Sequence, residues 1–225
     1  KTSDTAKNIK DQLADLNFAL MFGIVLVALI VYMFLHNFRG TLIVCLAIPT
    51  CIFITFIALK LAGFTINVMT MLALSLAIGV LVDDAIVVIE NTYRHLRAGE
   101  DPKEAALNGR SEIGLAAIAI TLADVVVFLP IGFMGGIVGQ FFKPMALGFV
   151  FATLSSLFVS FTLTPMLASR WYKAGEDMEH PTGKFAVAFE GLFAKVENFY
   201  RARLEWALNH RWFVFILGNS ALFAV

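Results

Sequence analysis

Gly79-Val80-Leu81-Val82-Asp83-Asp84-Ala85-Ile86-Val87-Val88-Ile89-Glu90-Asn91 decides how the chain is read. Two adjacent carboxylates stand in a mainly apolar run that reaches back to Val68. About 20 mainly apolar residues cross the roughly 30 Å hydrocarbon layer as a helix, and Val68–Glu90 is long enough to do so. An acid at the centre of such a span costs about 2.5–3.5 kcal/mol. Each surrounding Leu, Ile or Val returns only about 0.3–0.6 kcal/mol. Acids persist there when they face a protein interior or a water-filled path, and proton relays are a usual reason. Ser75, Gly79 and Asp83 recur at i, i+4 and i+8, which predicts a small, polar, inward face. Asp84 lies about 100° further round and meets different neighbours. Mutual repulsion in a low dielectric lets such a pair hold an exchangeable proton. The competing reading is a structural acid paired with Lys or Arg on another helix, and a vicinal pair favours the relay over it.

The composition agrees with a membrane setting. Counting glycine and leaving out tyrosine, about 64% of the 225 residues are apolar, against about 45–50% in soluble domains. Charged residues make up 15%, against about 25%. The chain is therefore read as an all-α integral membrane protein, a polytopic helix bundle. With 17 basic and 17 acidic residues the formal net charge is zero, which gives a nucleic-acid surface no support. Cys45 and Cys51 sit in one apolar run and read as buried small hydrophobes. The four His are scattered and no CxxC occurs, so neither a metal nor a cofactor is expected. Beginning at Lys1 and ending inside an apolar run at Val225, the chain reads as part of something larger.

Five segments qualify as spans: Leu16–Leu35, Leu42–Phe64, Val68–Glu90, Ile113–Phe133 and Met145–Leu167. The expected organisation is an extracytoplasmic lead-in over 1–15, a five-helix bundle over 16–167, a cytoplasmic loop over 168–211 and the start of a sixth span over 212–225. The loops after the first, third and fifth spans carry Arg39; Arg94, Arg97, Lys103 and Arg110; and Arg170, Lys173, Lys184, Lys195, Arg201, Arg203 and Arg211. Only Lys1, Lys7, Lys10, Lys60 and Lys143 lie on the other side. The positive-inside rule then places the N-terminal end outside and loops 91–112 and 168–211 in the cytoplasm. Asp101-Pro102-Lys103-Glu104 opens a short cytoplasmic helix, and Gly135–Pro144 reads as a Gly-rich loop. Over Lys184–Asn209, Phe185, Phe189, Leu192, Val196, Phe199, Leu204 and Leu208 oppose Glu190, Lys195, Glu197, Arg201 and Arg203. That pattern predicts an amphipathic helix in the headgroup region, with a surface helix packed on a soluble domain as the alternative.

Asp124 is a second intramembrane acid, on a face shared with Gly114, Ala117 and Thr121. A hydrogen bond to a neighbouring helix and a part in proton handling both stand open for it. Gly148, Ala152, Ser156, Ser160 and Thr164, each four apart, read as a close-packing stripe, with hydroxyls serving a water path as the alternative. Glu90 and Asn91 are read as the end of their span.

At this point the motif resembles the fourth-helix signature of the resistance-nodulation-division (RND) exporters, in their hydrophobe/amphiphile drug-efflux branch. The heavy-metal branch usually has a single Asp there. Phe34-Leu35-His36-Asn37-Phe38-Arg39-Gly40-Thr41-Leu42-Ile43, Phe128-Leu129-Pro130-Ile131-Gly132-Phe133-Met134-Gly135-Gly136 and Leu163-Thr164-Pro165 also resemble it. The resemblance implies that the five spans are helices two to six of a twelve-helix permease, with Trp212 opening the seventh and Lys184–Asn209 as the cytoplasmic connector. It implies proton-coupled export of small amphiphilic compounds across the inner membrane, with Asp83 and Asp84 translocating protons. It further implies a homotrimer, a second half of the same permease, a periplasmic adaptor and an outer-membrane channel. Asp124 is not part of that motif. The alternatives are a non-drug exporter or secretion accessory of similar fold and, more remotely, an intramembrane aspartyl protease. The latter chemistry needs two carboxylates on different helices sharing a proton.

Overall fold

Asn37, Asn67 and Asp101 each stop the chain in an extended conformation and turn a side-chain oxygen onto the free N–H groups of the helix that follows. The computed structural model describes residues 5–35, 37–173 and 184–223. Among these the elements are α1 (Thr5–Leu35), α2 (Phe38–Leu61), α3 (Val68–Arg97), α4 (Pro102–Gly132), α5 (Gly136–Trp171), α6 (Lys184–Asn209) and α7 (Arg211–Phe223). No strand occurs among the described residues. The four helices α2 to α5 are long and apolar enough to cross a membrane, and α1 carries a shorter apolar stretch at Asn17–Met33. The expected all-α polytopic bundle is what forms.

Residues 1–178 make one compact unit and 179–225 another. In the first, α3 packs on α1, α2, α4 and α5, while α5 packs on α2, α3 and α4. The α5 stripe explains why α3 and α5 approach so closely. Ala152, Ser156, Ser160 and Thr164 are fully buried, and a Cβ on buried Gly148 would come within 3.1 Å of the Ala73 Cβ. Small side chains here let two backbones approach where lipid supplies no hydrophobic drive. Buried hydroxyls answer to their own helix: Thr55 donates to the Cys51 carbonyl at 2.7 Å and Thr92 to the Val88 carbonyl at 2.8 Å. At these two positions the hydroxyl is satisfied within its own helix, without water.

Three local expectations are corrected. The helix opened by Asp101 is not a separate cytoplasmic piece but the first turns of α4. Ala105 and Ala106 are buried and Gly109 lies so close to Thr92 that a Cβ would come within 2.7 Å of its backbone nitrogen, so packing on α3 carries the helix onward unbroken. Likewise α3 continues seven residues beyond Glu90 to Arg97. The Gly135–Pro144 segment is a turn at Gly135 followed by helix, with Pro144 inside α5. A proline inside a membrane helix is tolerated when neighbours satisfy the freed carbonyl.

The second unit contains α6 and α7. Val196, Phe199, Leu204 and Leu208 are exposed along α6. Glu197 pairs with Arg201 at 3.6 Å, Arg203 stacks over the Phe199 ring, and Trp206 stacks on His210. The side chains expected on the same helix at Lys184, Phe185, Phe189, Glu190 and Leu192 lie outside the described residues.

Candidate functional site

The start of α3 sets the direction of every side chain after it. Asn67 accepts from the Thr70 N–H at 3.0 Å, and its own N–H donates to Thr70 Oγ1 at 2.8 Å. From this capping box, Ala73, Ala77, Leu81, Ala85 and Val88 turn into the bundle. Leu72, Leu76, Gly79, Asp83, Val87 and Glu90 follow one another on the exposed side. The Ser75–Gly79–Asp83 face expected to point inward is thus turned away from this chain's other helices. Asp83 is exposed, and a Cβ on Gly79 would meet nothing within 4 Å. Only Ser75 is drawn in: its Oγ is buried and has no hydrogen-bond partner among the described residues.

Asp84 takes the other direction. It is half-buried, and Ser156 of α5 stands beside it, its hydroxyl donating to the Leu81 carbonyl at 3.0 Å. The charges of Asp83 and of Asp124, half-buried on α4, both act on Asp84. Three acids from two helices therefore share one neighbourhood. Asp124 comes there because Gly114, Ala117 and Thr121 below it are buried, with Gly114 against the Phe161 ring of α5.

Two turns further along α3 the chain builds a second polar group. Asn91 donates to the Gly109 carbonyl at 2.7 Å and to Glu112 Oε2 at 3.0 Å. Arg94 pairs with the same Glu112 oxygen. His95 places Nε2 3.1 Å from Glu112 Oε2 and Nδ1 2.7 Å from Glu100 Oε1, and Asn108 donates to Glu100 Oε2 at 2.9 Å. Glu90, by contrast, is exposed. The sequence gives no hint of this group, because Asn91, Arg94 and His95 share one face of α3 and Asn108 and Glu112 one face of α4, and only the fold shows that these faces meet. Ser156 is legible in the sequence as a packing residue whose hydroxyl could also serve a water path; its place beside Asp84 depends on how α3 and α5 are rotated against each other.

Long apolar helices with acids at mid-span define a polytopic α-helical membrane protein. The family model for AcrB/AcrD/AcrF matches residues 1–224, and the chain belongs to that family. Over 221 residues it is 38% identical to the multidrug resistance protein MdtC of Pectobacterium atrosepticum. That match covers 97% of this chain and 21% of the relative, so the chain spans about a fifth of that protein's length. The RND resemblance carried by the Asp-Asp motif is thereby confirmed at the level of the family.

Proposed function

We propose that the chain is the proton-handling part of a secondary transporter that exports small amphiphilic compounds in exchange for protons. The observation that carries this reading is the carboxylate group on α3 and α4. Asp84 stands beside Ser156 within reach of the Asp124 charge, while Asp83 lies on a stripe open along its length. A carboxylate facing hydrocarbon is costly, so the stripe of Leu72, Leu76, Gly79, Asp83 and Val87 calls for a protein cover. The second half of the same permease supplies it. Asp83 and Asp84 then pass protons between that interface and the bundle, and Asp124 tunes their affinity. The complete permease works as an inner-membrane homotrimer with a periplasmic adaptor and an outer-membrane channel. Its lead-in over 1–15 is extracytoplasmic, its loops over 91–112 and 168–211 are cytoplasmic, and residues from 212 open the next span. The exposed apolar residues of α6 beside Arg201 and Arg203 suit a connector lying at the cytoplasmic headgroups.

The test replaces Asp83 or Asp84 by Asn in the complete protein. Asn keeps the shape and hydrogen bonding and cannot carry a proton. Accumulation of an amphiphilic dye should rise to the level of cells lacking the pump, at unchanged expression; wild-type efflux in both variants would sink the relay. Orientation is checked by cysteine labelling: a cysteine at Gly136 should react from outside, and one at Leu107 only after permeabilisation. The reverse would overturn it.

A further inference from the structure

The polar group beyond the Asp pair joins three pieces of chain. Glu112 Oε2 on α4 gathers donors from Asn91, Arg94 and His95 on α3, and Glu100 in the intervening turn takes the other ring nitrogen of His95. A neutral imidazole has one N–H and one acceptor lone pair, while the imidazolium has two donors. Both ring nitrogens of His95 face carboxylate oxygens, so this arrangement calls for the imidazolium. Beneath it, Gly109 brings the α4 backbone onto that of Thr92, where a side chain would not fit. The joint is therefore tight as well as charged. The helices it joins are the one that carries Asp83 and Asp84 and the one that carries Asp124.

We propose that His95 and Glu112 are positioning residues for the proton relay, clamping the cytoplasmic end of α3 to α4 most tightly while the His95 ring is protonated. This rests on the relay reading above. The clamp sets the rotation and height of α3 against α4, and with them the separation of Asp84 and Asp124. Loss of the His95 proton turns one of its two donors into a lone pair facing a carboxylate, and the joint opens as cytoplasmic pH rises. On the acid side the clamp is more durable. Hydrogen bonds from His95 and Asn108 hold the Glu100 carboxyl below the usual carboxylate range, so Glu100 is released only when pH falls through that lowered value. The charged groups around the ring are Glu100 in the turn, Glu112 on α4 and Arg94 on α3 itself. Arg39 of α2 and Arg170 and Lys173 at the end of α5 are the charged groups that the other packed helices bring to this end of the bundle.

The experiment uses the complete permease in proteoliposomes with a nitroxide label at exposed Leu107, read alongside ethidium transport while the pH on the cytoplasmic face is varied. In the otherwise unaltered protein, label mobility should rise and transport fall over the same alkaline range. His95→Arg, a permanent two-donor cation, should remove both alkaline changes. His95→Gln and Glu112→Gln should show the mobile label and weakened transport throughout, with Glu112→Asp restoring part of each. If the Gln variants fail to assemble, the gain seen in His95→Arg decides alone. A label insensitive to pH, or an alkaline limb unchanged in His95→Arg, overturns the proposal. A label that responds as expected beside a flat transport profile also overturns it, since the clamp would then position nothing. The relay reading fails separately, on transport by Asp84→Asn, which the label does not sense.

Discussion

On one side of α3, Ala73, Ala77, Leu81 and Val88 are sealed against neighbouring helices, and the Leu81 carbonyl takes the Ser156 hydroxyl. On the other side Leu72, Leu76, Gly79, Asp83 and Val87 are open, although the residue types are nearly the same. Hydrophobicity does not separate the two sides, because lipid and protein interior are equally apolar. Size and polarity do. The sealed side meets a stripe of Gly, Ala and Ser on α5, which supplies the close approach that helix association in lipid depends on. The open side carries Gly79, where a Cβ would meet nothing, and the carboxylate of Asp83, which is costly against lipid and suits a protein partner. One helix thus packs into the bundle with one face and leaves a carboxylate open on the other.

A bulky residue at Gly79 probes the open face most severely. Gly79→Leu should leave the packing of α3 on this chain's other helices intact, since a Cβ there meets nothing within 4 Å, yet abolish dye efflux at unchanged expression by obstructing the cover over Asp83. Normal efflux would make that face a lipid surface. The sealed face answers in the opposite manner. Gly148→Val should lower stability by about 1–3 kcal/mol through overpacking against Ala73, read as the midpoint of unfolding in sodium dodecyl sulfate. No shift in that midpoint would mean that α3 and α5 separate easily. The smallest effect is expected where the two faces meet. Asp124→Asn should displace the pH optimum of transport while leaving substantial activity at the new optimum. An unchanged profile returns Asp124 to helix packing, and loss at every pH makes it an essential member of the relay.

Much of this was legible before any coordinates. Hydropathy located α2 to α5, spacing of four marked the α5 stripe, and the capping role of Asp101 followed from its place before Pro102. Polar residues mark the end of an apolar span, so hydropathy stops α3 at Glu90 and starts α4 at Ile113, short of the helix ends. In fact α3 and α4 run past the apolar zone, supported by contact between Gly109 and Thr92. The glycines at 135 and 136 were taken for a longer loop because glycine signals a turn without saying how soon the helix resumes. Periodicity put Ser75, Gly79 and Asp83 on one face correctly, but it carries no information about what that face meets. That depends on the rotation of α3 in the bundle, as does the approach of Ser156 and Asp124 to Asp84.

On the proposed reading the carboxylates of Asp83 and Asp84 carry the protons that drive export. Proton flux in proteoliposomes of the complete permease tests this most directly, with a pH-sensitive dye trapped inside and ethidium added to start transport. An ethidium-dependent proton current is expected in the unaltered protein and none in Asp83→Asn or Asp84→Asn, each still reconstituted in full. A current of unaltered size in either variant would contradict it.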